Sequence, residues 1–137
     1  MRVAVVYFPA YAGDQVSRLA QSLAQGIESQ GHQVDLIDGT TDENKKLIIY
    51  HYIAVGTVKT SFLGKINAKI SHFLASQGTV QGKKGFAFVA KKIFGSQRSL
   101  LKLMSVMEKE GMIVRSSEIF SSRDEAVEVG KRLHIAI

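Results

Sequence analysis

The chain contains no cysteine and a single proline, Pro9. The absence of cysteine excludes disulfide frameworks, thiolate metal sites and cysteine nucleophiles. No apolar run approaches the ~20 residues that a membrane span requires. The opening run, Met1-Arg2-Val3-Ala4-Val5-Val6-Tyr7, is too short for a signal peptide's apolar region plus cleavage site. Cytoplasm is therefore the expected compartment. No internal repeat, low-complexity tract or linker interrupts the chain. Its four histidines, His32, His51, His72 and His134, share no metal-ligand spacing with carboxylates. No GxGxxG occurs, and no serine lies on a glycine-flanked elbow after a strand. The segment Gly78-Thr79-Val80-Gln81-Gly82-Lys83-Lys84 has too short a glycine spacing for a phosphate loop. It also lacks the hydroxyl after lysine and precedes a strand instead of following one.

The 137 residues suit one domain, 1-137, and 45% apolar residues supply a core without metals or disulfides. The net charge of +6 favours acidic partners through the summed field. The lysine pairs Lys45-Lys46, Lys83-Lys84 and Lys91-Lys92 are scattered and not interleaved with aromatics, so there is no specific nucleic-acid signal.

Apolar runs alternate with helical-period segments. Arg2 to Phe8 reads as a buried, valine-rich strand. Val16, Leu19, Ala20, Leu23, Ala24 and Ile27 then follow the spacing of an amphipathic helix, with Gly31 as its stop. Gln33 to Ile37 predicts a second strand, and Leu47 to Val55 contains a third that ends at Gly56. Leu63 to Gln77 predicts a helix burying Ile66, Ile70, Phe73 and Leu74. Gly85 to Ala90 is a fourth strand. Ser96 is the expected N-cap of a helix that buries Leu100, Leu103, Met104 and Met107 and closes at Gly111. Met112 to Ile119 is a fifth strand. Ser122-Arg123-Asp124-Glu125 has the capping-box pattern and opens a helix carrying Ala126, Val129, Gly130 and Leu133. Such alternation implies a parallel sheet with right-handed crossovers and helices on both faces. Five strands and five helices in the doubly wound order 2-1-3-4-5 are expected, with ligands at the carboxyl ends of strands 1, 3 and 4. The loops Pro9–Gln15, Thr57–Leu63 and Lys91–Ser96 should then converge.

At these loops the chain resembles the flavodoxin family. Val5-Val6-Tyr7-Phe8 followed by the helix through Leu19-Ala20 is similar to that family's opening. Tyr52-Ile53-Ala54-Val55-Gly56-Thr57 resembles its third strand and following turn, and Gly82-Lys83-Lys84-Gly85-Phe86-Ala87-Phe88 its fourth strand. The resemblance implies an α/β flavodoxin-like fold and FMN, with the FMN phosphate at the first loop, where hydroxyls, backbone N–H groups and the helix dipole receive it. Here that loop is Tyr11, Ala12, Gly13, Asp14, Gln15 and Val16 after Pro9-Ala10. It has no serine or threonine, and Asp14 can cap the helix in competition with a phosphate. Gln15 and Lys59 are expected to compensate in part. In the second loop Thr57, Val58, Lys59, Thr60 and Ser61 lead to Phe62, and Val58 stands where the family commonly has proline. In the third, Lys91, Lys92, Phe94 and Gly95 supply positive charge and a second ring. Phe62 and Phe94 could stack on a flavin or simply anchor their loops. Lysines beside the ring would favour an anionic reduced flavin and raise its potential.

Two readings stay open. One is an FMN-binding electron-transfer domain with a weakened phosphate site and an acidic redox partner. On that reading the chain is a flavin electron carrier, not a substrate-specific enzyme. The other is a cofactor-free protein-interaction module. The polar outer helix faces favour a monomer.

Overall fold

The structure is a computed structural model and describes residues 1–42, 46–60, 64–77 and 80–135. Strands β1 (Arg2–Phe8), β2 (Gln33–Asp38), β3 (Tyr52–Thr57), β4 (Lys84–Ala90) and β5 (Ile113–Phe120) form one sheet in the order β2-β1-β3-β4-β5. Every neighbouring pair is parallel. Helices α1 (Gln15–Glu28), α2 (Lys69–Gln77), α3 (Ser96–Lys109) and α4 (Arg123–Arg132) complete the fold.

Strand parity divides the core. Val3, Val5, Tyr52, Ala54, Phe86, Phe88 and Phe120 face α1 and α4. Ala4, Val6, Phe8, Ile53, Val55, Ala87 and Val89 face α2 and α3. Because the inner strands are covered on both faces, they have no polar side to present, and β3 is buried along its whole length. β4 meets β5 with a register shift after Gly85. Gly85 pairs with Val114 and Phe86 with Ser116, which leaves Arg115 as the extra residue.

Helices α1 and α4 meet backbone to backbone. A Cβ on Gly26 would lie 2.2 Å from the Val127 carbonyl oxygen, and one on Gly130 would lie 2.5 Å from that of Leu23. Hydrogen bonds rivet the seam: Gln30 Nε2 donates to the carbonyls of Gly130 (2.7 Å) and Leu133 (3.0 Å). Arg123 Nε donates to Ser22 Oγ at 3.0 Å.

Four helices, not five, occur among the described residues. Around Leu47–Tyr50 the β2–β3 connection forms a turn, closed by the Tyr50 N–H on the Leu47 carbonyl (3.2 Å). It is held from outside by Lys83, whose Nζ donates to the carbonyls of Ile48 and Tyr50. The third strand starts later than hydropathy implies and continues through Thr57, so Gly56-Thr57 is strand, not turn. Gly56 is required by packing instead. A Cβ there would lie 2.1 Å from the Phe88 ring. α2 also starts later than expected, with Asn67 Oδ1 and the Asn67 carbonyl receiving the N–H groups of Lys69 and Ile70. The N-cap of α3 is Gly95 at φ +83, not Ser96. The Ser96 hydroxyl instead ties back to the N–H and carbonyl of Lys92. Ser122 does cap α4, accepting from Glu125 N–H at 3.2 Å. The Glu125 carboxylate turns to the Ser121 hydroxyl.

Candidate functional site

The carboxyl ends of β1, β3 and β4 lie side by side. The Thr57 hydroxyl, fully buried, donates to the Phe8 carbonyl at 2.9 Å and binds the tip of β3 to the tip of β1. Gly64 and Gly95 bring the second and third loops into contact. A Cβ on Gly95 would meet Gly64 Cα, Gly64 N and Lys59 Cδ, each at 3.3 Å. Thr60 N–H donates to the Lys65 carbonyl at 2.7 Å, folding the second loop back on itself. Of the expected mouth residues, the structure brings together Thr57, Lys59 and Gly95. Phe62, with Ser61 and Leu63, lies outside the described residues, as do Lys45 and Gly78-Thr79.

The first loop turns through Tyr11–Asp14, with Asp14 N–H on the Tyr11 carbonyl (3.2 Å) and Gly13 at φ +78. This positive φ at the third turn position is what a type II turn demands of a glycine. Asp14 then caps α1 from within. Its Oδ1 accepts from Gln15 N–H at 2.6 Å, and its Oδ2 accepts from Ala10 N–H at 2.9 Å. The carboxylate is 1% exposed. Val16 and Val58 are buried in the α1-side core, so their side chains face away from the mouth. Tyr11 and Ala12 are exposed, while Gln15 and Lys59 are half-buried.

At the third loop, Ile93 is 90% exposed and Phe94 60% exposed. Lys91, Lys92, Ile93 and Ser121 line an open depression of about 340 Å³. Ile93 belongs to the expected third loop, whereas composition and spacing gave no sign of Ser121. Ser121 enters the site because β5 ends beside β4, a neighbourhood visible only once the strand order is known. The mouth is electrically lopsided. Lysines 59, 91 and 92 stand on the β3–β4 side, and Asp38 and Asp42 on the β1–β2 side. Burial first, then Asp38 and Asp42, raise the Tyr7 pKa above its ordinary value.

Away from the mouth, the Tyr52 hydroxyl is buried near Ser116 of β5, with no hydrogen-bond partner among the described residues. Burial pushes its pKa up to about 12. The Ser116 hydroxyl and the Arg115 charge pull the other way, Ser116 without closing a bond of good geometry. Among the described residues no cluster of three or more histidines and carboxylates could hold a metal ion. No helix among them is long and apolar enough to cross a membrane.

This architecture matches solved structures over almost its whole length. A flavodoxin from the domain Archaea superposes with a TM-score of 0.74 at 24% identity, covering 97% of this chain and 93% of that one. The fold is that of the flavodoxins. The two-electron reduced flavodoxin of Megasphaera elsdenii aligns with a TM-score of 0.71 at 14% identity, covering 94% of this flavodoxin-like chain and 96% of that protein. A flavone reductase aligns with a TM-score of 0.77 at 9% identity, over 97% of this chain and 62% of that one. No family model and no curated protein matches the sequence. These likenesses establish the flavodoxin-like fold and its sheet order.

Would FMN fit this mouth? Its ring side has suitable surfaces, since exposed Tyr11 and Phe94 border the mouth and lysines stand beside it. Its phosphate side fits less well. The Asp14 carboxylate stands there with its negative charge and already takes the N–H of Gln15 at the start of α1 and that of Ala10 just before it.

Proposed function

We propose that this flavodoxin-like chain is an electron carrier that holds a flavin at the carboxyl mouth of its sheet, with a weakened hold on the phosphate. The supporting observation is the meeting of the β1, β3 and β4 tips, bordered by exposed Tyr11, Ile93 and Phe94. Ligands of doubly wound sheets bind where the strand order reverses, and here that point lies between β1 and β3. The flavin would supply the redox chemistry, and the protein supplies orientation and electrostatics. On this reading Tyr11 and Phe94 offer apolar ring faces, while Thr60 offers an exposed hydroxyl. Lys59, Lys91 and Lys92 give that side of the mouth a positive field, which suits an acidic redox partner. A cytoplasmic monomer goes with this role.

Titration of the purified protein with FMN tests the proposal. Saturable quenching of flavin fluorescence at micromolar concentration or below supports it, and the absence of saturable quenching with any flavin, phosphorylated or not, rejects it. The observation favouring a second reading, a cofactor-free module working through protein contacts, is the engaged start of α1. Absence of flavin binding together with a stable fold would select that reading.

A further inference from the structure

The first loop is arranged against phosphate in three independent ways. A carboxylate stands at its helix N-terminus: both Asp14 oxygens accept backbone N–H groups, from Gln15 at the start of α1 and from Ala10 before it. The Ser17 N–H and hydroxyl are both engaged by the Asp14 carbonyl, at 3.1 and 2.8 Å, so the one serine in the first turn of α1 is turned inward. The segment also lacks a cation, with no lysine or arginine between Arg2 and Arg18. The neighbouring strand adds to the negative field. β2 ends at Asp38, paired with Tyr7, and Asp42 follows closely enough to act on the Tyr7 hydroxyl. A phosphate arriving here would meet the Asp14 carboxylate and the negative field of Asp38 and Asp42. A buried, doubly hydrogen-bonded carboxylate cannot swing aside without leaving two backbone donors unsatisfied.

We propose that Asp14 takes the place of the ligand's phosphate and that the mouth selects the unphosphorylated flavin, riboflavin, over FMN. This rests on the flavin reading above. The oxidised isoalloxazine ring is uncharged, so removing the phosphate removes the only part of FMN that the first loop repels. The ribityl hydroxyls are uncharged and can donate to oxygen acceptors, so they bring nothing for Asp14 to repel.

Isothermal titration of the full chain with riboflavin and with FMN, at matched ionic strength, tests this. Riboflavin should bind at least about tenfold more tightly than FMN, since like charges in a partly buried site repel strongly. Asp14→Ser retains a capping oxygen for Gln15 and should bring FMN to parity with riboflavin or ahead of it. Asp14→Asn keeps the side chain's shape without its charge and should move the ratio the same way, which covers the case of a serine variant that folds poorly. A smaller riboflavin preference in the parent protein, or a ratio unmoved by both variants, overturns the assignment to Asp14 while leaving the flavin reading intact. Binding of neither flavin overturns both.

Discussion

Replacing Gly26 by alanine sets two effects of opposite sign against each other. Alanine in place of glycine inside a helix contributes about 1 kcal/mol of helix propensity. Against this, the new methyl would stand 2.2 Å from the Val127 carbonyl oxygen, 2.9 Å from Gly130 Cα and 2.9 Å from the Lys131 nitrogen. All three are backbone atoms, so none can rotate away. Restoring ordinary contact requires α1 and α4 to separate by about 1 Å, which loosens a close-packed seam along its length. Overpacking of well-filled sites costs about 1–3 kcal/mol. With immovable neighbours the upper end applies, and after the propensity gain a net loss of about 2 kcal/mol remains. At a urea slope of about 2 kcal/mol per molar, the unfolding midpoint should fall by about 1 M. Equilibrium unfolding followed by far-UV circular dichroism measures this. Gly31→Ala is the control. Gly31 has φ +96, but a methyl added there would have no atom within 4 Å, so only backbone strain of about 1–2 kcal/mol acts. A Gly26→Ala midpoint equal to or above that of the parent would refute the backbone contact between the two helices.

Two further predictions concern the sheet. Gly56→Ala would drive a methyl to 2.1 Å from the Phe88 ring and should cost about 1–3 kcal/mol by thermal unfolding; an unchanged melting temperature would remove Phe88 from above that strand. Tyr52→Phe deletes a buried hydroxyl with no partner among the described residues and should leave neutral-pH stability unchanged or higher. In the parent the unfolded tyrosine releases its proton near the ordinary value of 10.0, while the folded one keeps it to about 12. Stability therefore falls as pH rises through that window. The variant should lose this part of the decline but retain the part due to Tyr50, whose pKa burial also raises to about 12. Urea unfolding across the same pH range checks it, and identical alkaline slopes would count against the buried hydroxyl.

Where local chemistry decided the outcome, the sequence was sufficient. The valine run of β1 became a buried strand from Arg2 to Phe8. All six apolar positions expected on the inner face of α1 are buried, and Asp14 and Ser122 cap the helices as their side chains allow. The misplacements share a different cause, contact between distant segments. Gly95 displaces Ser96 as the α3 cap because its positive φ carries the chain past Gly64. Gly56 looks like a turn signal, yet it is small because Phe88 lies over it. The expected fifth helix does not occur among the described residues. Leu47 and Tyr50 bury their side chains from a turn that Lys83 holds, so apolar content there did not mean strand. At the mouth, the loops that follow β1, β3 and β4 were readable from the alternation of strands and helices. Ser121 was not, because it comes from the end of a strand whose neighbour is set by topology alone.

The riveted contact between α1 and α4 also constrains biogenesis. Gln30 bonds to the Gly130 carbonyl across a separation of 100 residues, so one layer of the molecule is assembled from early and late parts of the chain. During translation, α1 must wait with its glycine groove open until α4 has left the ribosome tunnel. Until then the Gly26 face of α1 lacks its partner, and a nascent chain stalled just after β5 should be recognised by chaperones.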